Sequence, residues 1–140
     1  MEILPQIING GCHSDKRGTI CFLNDFDMSA VKRFYIIKHP SLEVKRGWRA
    51  HKIEQRWFYV FKGIFRISTI KIDNWTNPSE TLEKTIFELK DIQNQVLYVP
   101  AGYATCLQAL SPDSEVVVFA DYGLGNAKLD DYLFPVTHFS

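Results

Sequence analysis

The stretch VKRGWRAHK, residues 44–52, sets Arg49 and His51 two positions apart in a segment that reads as a β-strand. Side chains of an extended chain alternate between faces, so these two project the same way. A histidine there can ligate a metal, move a proton or satisfy a buried polar contact. Proton transfer has a chemical partner at hand. An imidazole titrating near neutrality suits removal of a proton beside a carbonyl, and a neighbouring guanidinium can hold the enolate oxygen that develops. The structural alternative is a packed histidine beside a surface arginine. Further cations lie on nearby segments: Arg17 in DKRG, Arg33 in VKRFY, and Lys45 and Arg46 in VKRG. Several arginines converging in one pocket would suit a diphosphate, because the planar guanidinium meets phosphate oxygens in pairs. Among the aromatic side chains, Tyr35, Trp48, Trp57 and Tyr103 are candidates to stack on a base or sugar, or else belong to the core.

The totals narrow the setting. A chain of 140 residues with 46% hydrophobic residues matches one domain, 1–140, large enough to bury a core. The 16 basic and 16 acidic side chains cancel and are interspersed, which argues against a nucleic-acid partner. No apolar run approaches the roughly 18 residues of a membrane span. MEILPQIING lacks the features of a secretory signal, so a cytoplasmic location is expected, with no membrane partner. Cys12, Cys21 and Cys106 are odd in number and lack C-x-x-C spacing, so free buried thiols are expected rather than a disulfide framework or a zinc site.

The elements that must position these groups are strands. GTICFL, VKRFYIIKH, RWFYVFKGIFRISTIKI, TIFEL, QVLYVP, TCLQAL and EVVVFADY are short, β-branched and aromatic. Turn signals separate them: GCHSDKRG, HPSLE, DNWTNPSE and LSPDSE. Many short strands with frequent turns predict an all-β sandwich or barrel. The run 56–72 is broken at Lys62-Gly63, which predicts a tight hairpin or a kink. The aromatic segment DDYLFPVTHFS after the last strand is predicted to dock on the body.

Taken in order, DKRG, VKRFYII, RGWRAHK, VPAGYAT and FADY resemble the cupin enzymes of deoxysugar biosynthesis over roughly residues 11–135. The chain is similar to the dTDP-4-keto-6-deoxyglucose 3,4-ketoisomerases and, more distantly, to the dTDP-4-dehydrorhamnose 3,5-epimerases. The resemblance implies a single-domain cupin, a double-stranded β-helix jelly roll. It further implies a homodimer that binds a thymidine-diphosphate sugar inside the barrel without a metal or other cofactor. Metal-binding cupins use an H-x-H pair followed by an acid, with a further histidine after a P-x-G turn. Here His51 and Glu54 remain, while Arg49 and Thr105 occupy the other histidine positions. Arginine has no lone pair to give, and a catalytic metal needs about three protein ligands.

By the same resemblance, His51 is the base that removes the proton at C3, next to the C4 ketone. Reprotonation of the enediol at C4 completes a ketone shift, and reprotonation at C3 gives epimerisation. Arg49 would hold the enediolate oxygen or replace a hydrogen bond made by the missing imidazole, and Tyr35 and Tyr122 are candidate proton donors. Arg17, Arg33 and Arg46 are candidates for the diphosphate, with Trp48 and Tyr103 as further ligand-binding residues. The alternative is a catalytically inactive cupin that binds a nucleotide sugar or carbohydrate.

Overall fold

The computed structural model describes residues 2–139. The strands are β1 (Gln6–Asn9), β2 (Gly11–Asp15), β3 (Gly18–Phe22), β4 (Arg33–His39), β5 (Lys45–Ala50), β6 (Arg56–Lys62), β7 (Ile64–Lys71), β8 (Thr85–Lys90), β9 (Gln95–Val99), β10 (Tyr103–Ala109), β11 (Ser114–Ala120) and β12 (Tyr132–Leu133). One short helix, α1 (Leu124–Ala127), follows β11. No described helix is long and apolar enough to cross a membrane.

Ten of the strands form two antiparallel sheets, ordered β1-β9-β6-β11-β4 and β12-β5-β10-β7-β8, which make an all-β jelly roll. Alternation explains which residues lie between the sheets. Phe58 and Val60 on β6, Phe65 and Ile67 on β7, and Val116 and Val118 on β11 are all buried in one cluster, joined by Leu89, Leu97, Val99 and Leu107. A second cluster lies on the other face of the β5 sheet, where Trp48, Ala50, Ile70, Cys106 and Phe139 pack together.

The break at Gly63 is a kink rather than a hairpin, because β6 and β7 belong to different sheets. Gly63 carries φ +81°, in the left-handed region, and its missing side chain leaves room for Ser114. The Ser114 hydroxyl accepts from the Ile64 amide at 3.1 Å. The predicted turn GCHSDKRG differs: its first half is strand β2, paired with β3, and only Lys16-Arg17 turn. That pairing sets Cys12 opposite Cys21, and the two form a disulfide, which corrects the expectation of free thiols. The polar, exposed sequence of β2 carries no strand signal, and only its pairing with β3 brings the two cysteines together. Cys106 is free and buried, as expected.

The C-terminal segment docks as its aromatic content predicts. β12 adds to β5, Trp48 and Phe134 exchange backbone hydrogen bonds at 3.0 and 2.9 Å, and Phe139 is buried against Trp48. This docking brings residues 128–131 over the end of β5.

Two glycines test the kink. Gly102 has φ +91° with open space around it, whereas a methyl group on Gly63 would collide with Ser114. Gly102→Ala should cost about 1 kcal/mol in backbone strain alone, and Gly63→Ala at least about 1 kcal/mol more. Urea denaturation measures both, and equal losses would contradict the collision.

Candidate active site

The site forms where β4, β5, β6 and β10 meet the 128–133 segment. Two adjoining cavities share Tyr35, Arg46 and Arg49. The inner one, about 260 Å³, is also lined by Ile37, Arg56, Phe58, Thr105, Leu107 and Leu133. The outer one, about 310 Å³, adds Arg33, His51, Glu54, Lys128 and Asp131.

Strand alternation accounts for Arg49 on one side of β5 with Trp48 and Ala50 on the other, and His51, the residue just after the strand, lines the same cavity as Arg49. Arg46 should then face away from Arg49, being three residues distant. It lines the same cavities because the pairing of β5 with β10 shifts by one residue: Thr105 pairs with Arg49 but Leu107 with Arg46.

His51 is held from the C-terminal segment. Its Nδ1 lies 2.6 Å from the carbonyl oxygen of Asp130, which can only accept, so the ring proton sits on Nδ1 and the lone pair on Nε2. The Asp130 carboxylate fixes the chain on which that ring sits. It accepts from the amides of Lys52 at 2.8 Å, Ile53 at 3.0 Å and Glu54 at 2.8 Å. The imidazole is 5% exposed. Burial, and secondly the Arg56 guanidinium, push its pKa down to about 4, so it is neutral at neutral pH.

Glu54 is buried beside it. Its Oε1 accepts from Arg33 Nη2 at 3.0 Å, while Oε2 lies 3.3 Å from His51 Nε2. Those last two atoms are close but out of line for a hydrogen bond, and neither has another partner. Burial pushes the Glu54 carboxyl above the usual carboxylate range, against the pull of Arg33 and Arg56.

Arg56 is the most enclosed cation of the site. Nη1 donates to Thr105 Oγ1 at 2.9 Å and Nη2 to the Tyr103 carbonyl at 3.3 Å, both neutral acceptors, and Nε has no partner. The inner cavity that it lines contains no carboxylate. It therefore presents positive charge to whatever enters.

The sequence-derived candidates divide by placement. His51, Arg49, Arg33, Arg46 and Tyr35 come together around the cavities. Arg49 pairs with Asp131 at 3.1 Å, and the Arg33 guanidinium lies 5.2 Å from the Tyr35 ring centre. Tyr122 offers its backbone carbonyl to Arg33 Nε at 3.2 Å, and its side chain lines neither cavity. Trp48 packs on the opposite face of β5, its Nε1 donating to the Val136 carbonyl at 3.3 Å. Tyr103 is buried in the main core cluster and lines neither cavity. Arg17 stands on the exposed β2–β3 turn, paired with Asp15 at 2.7 Å.

The sequence reading does not single out Arg56 or Asp130, and it weighs Glu54 only as a metal ligand. An arginine opening the otherwise apolar run RWFYVF, in step with inward-facing Phe58 and Val60, was the available signal for Arg56. Among the described residues, no three histidine, cysteine, aspartate or glutamate side chains stand together as a metal site requires.

A family model described as "FdtA: WxcM-like, C-terminal" matches residues 4–140. The chain belongs to this family. No curated protein matches it by sequence. Among solved structures, this FdtA-like chain is similar to the sugar 3,4-ketoisomerase QdtA from Thermoanaerobacterium thermosaccharolyticum in complex with TDP. The two are 20% identical over 99% of this chain and 94% of that one, with a TM-score of 0.73. It is also similar to a dTDP-4-dehydrorhamnose 3,5-epimerase from Sulfolobus tokodaii, 18% identical over 97% and 80% of the two chains, TM-score 0.77. A 3,4-ketoisomerase from Helicobacter canadensis is 20% identical over 86% of each chain, TM-score 0.65. At these identities the likeness is one of fold.

Two measurements follow. Asp130→Ala leaves backbone amides without their acceptor and should lower the unfolding free energy by at least about 2 kcal/mol. A loss within experimental error in urea denaturation would contradict the clamp. The second concerns pH. The unfolded His51 takes up a proton as pH falls through about 6.5, whereas the folded ring does so only near 4. The unfolded state thus binds more protons between those values, and stability falls as pH falls across that window. The stability advantage of wild type over His51→Asn should shrink by on the order of 3 kcal/mol between pH 7 and pH 4. A gap that is constant with pH would show the ring to be unperturbed.

Proposed function

We propose that this protein is a metal-independent 3,4-ketoisomerase of a dTDP-4-keto-6-deoxyhexose, acting by proton abstraction next to the C4 ketone. The observation that carries the reading is the fixed tautomer of His51, which leaves Nε2 unprotonated at the wall of an arginine-lined cavity. A base that removes a proton from carbon must be neutral and oriented, and both conditions follow from the Asp130 clamp and burial; the same burial leaves the ring of the empty site a weak base, so the reading requires the entering diphosphate anion to raise its basicity.

The surrounding charge fits the rest of the substrate. Arg33 and Arg46 are offered for the diphosphate, and Arg49 with Arg56 for the oxygen that becomes an enolate when the proton leaves C3. Tyr35 lies between these groups and is retained as a candidate proton donor. A histidine-to-asparagine variant of the QdtA ketoisomerase has been solved with TDP-4-keto-6-deoxyglucose, and we take that compound as the first substrate to test. The reading includes a homodimer, supported by the unpaired outer edge of β4 and by the β2–β3 hairpin, which bonds to neither main sheet and exposes Ile20 and Phe22.

A second reading, a binding module without turnover, is favoured by Arg49, which stands where the ketoisomerases carry a histidine and is held by Asp131. Incubation with dTDP-4-keto-6-deoxyglucose in deuterated water separates the two. The enzyme should place deuterium at C3 or C4, and His51→Asn should slow this by at least ~100-fold. Tight binding of the sugar nucleotide with no exchange would establish the module instead.

A further inference from the structure

The proposed reaction moves two protons, one between carbons and one between oxygens, and a single imidazole serves only one of these well. The outer cavity holds a second group of the right kind. Glu54 Oε2 and His51 Nε2 stand 3.3 Å apart, both buried, both without a hydrogen-bond partner, and out of line with each other. Both residues line the outer cavity, so a small shift of either side chain would present these two unpaired atoms side by side to one small molecule. An unpaired buried polar atom is costly, so the arrangement calls for an occupant.

We propose that Glu54 is the acid and base for the substrate oxygens, working beside His51 as the base for its carbons. The inference rests on the ketoisomerase reading above. In the first half-reaction Nε2 takes the proton from C3, the C–H electron pair becomes the C3–C4 double bond, and the carboxylic proton of Glu54 passes to the C4 oxygen. The products are a neutral enediol, an imidazolium and a carboxylate. In the second half the imidazolium returns its proton to C4, the double-bond pair forms the new C4–H bond, and the Glu54 carboxylate takes the proton of the C3 hydroxyl as that oxygen becomes the ketone. The side chains end as they began.

The neighbours favour this cycle. Arg33 on β4 holds Oε1 at 3.0 Å and stabilises the carboxylate once its proton has gone. Arg56 on β6 acts in the same direction, while Asp121 after β11 opposes it. Around His51, Arg56 disfavours the imidazolium, and Asp130 and Asp131 favour it. Burial raises the Glu54 carboxyl above its ordinary range and keeps His51 neutral down to about pH 4, and both shifts act in the direction that the pairing of a protonated carboxyl with a neutral imidazole needs. The rate should therefore be bell-shaped in pH, with His51 setting the acid limb and Glu54 the alkaline one.

The test is Glu54→Gln, assayed for ketone shift across pH, with dTDP affinity and thermal unfolding as controls. Glutamine keeps an N–H that can point at Nε2 and an oxygen for Arg33, so a purely positioning role would survive. We expect a rate at least ~100-fold lower, loss of the alkaline limb, retention of the acid limb, and dTDP affinity within about threefold of wild type. Glu54→Asp, which carries the same proton on a shorter arm, should regain about tenfold or more over glutamine. Glu54→Gln turning over within about threefold of wild type, or with the bell intact, would overturn the proposal and leave the ketoisomerase reading standing. Should glutamine unfold the chain, the folded aspartate variant decides: an alkaline limb unmoved from wild type would overturn the assignment. Wild type that neither turns over nor exchanges deuterium overturns the ketoisomerase reading, and this one with it.

Discussion

One aspartate determines the state of the histidine on which the site depends. Asp130 gives its carboxylate to three consecutive amides just after β5 and its own carbonyl to the ring nitrogen of His51. The first contact fixes the path of the chain and the second fixes the tautomer. Charge-assisted hydrogen bonds to backbone amides are among the stronger polar contacts, and here they join segments nearly eighty residues apart in the sequence. Without them the imidazole would be free to turn, and the nitrogen facing the cavity would be unspecified. The aromatic C-terminal segment matters for the same reason, since its packing on Trp48 delivers Asp130 to the end of β5.

Around that anchor, charge is graded. The outer cavity mixes Arg33, Arg46, Arg49 and Lys128 with Glu54 and Asp131, whereas the inner cavity presents Arg46, Arg49 and Arg56 with no carboxylate. Arg56 is unusual because its hydrogen bonds go only to neutral acceptors. Its charge disfavours a protonated His51 and favours an ionised substrate oxygen. The same guanidinium thus helps keep the base neutral before the reaction and opposes the imidazolium that forms during it, an opposition that Asp130 and Asp131 offset.

Much of this was legible in the sequence, and the limits have physical causes. Alternation put Arg49 and His51 together, and both line the outer cavity although His51 lies just past the end of β5. It could not show Arg46 joining them, since that depends on a shifted register with β10. Arg56 was legible in principle, as a charge in step with Phe58 and Val60. Asp130 was not, because the DDYLF stretch shows only that the segment is aromatic enough to dock. Trp48 shows the limit of reading by residue type: the alternation that puts Arg49 in the cavity puts its neighbour in the other cluster. Cys12 and Cys21 were misread because β2 is polar and exposed, without the apolar pattern that marks a strand.

The central claim is that His51 rests neutral with its proton on Nδ1, leaving Nε2 for chemistry. Long-range nitrogen–proton NMR of protein labelled with ¹⁵N-histidine reads both tautomer and titration directly. The expected spectrum at neutral pH has His51 as the Nδ1–H form, with ring protonation deferred to about pH 4. A ring protonated on Nε2, or one titrating near the ordinary 6.5, would contradict the account.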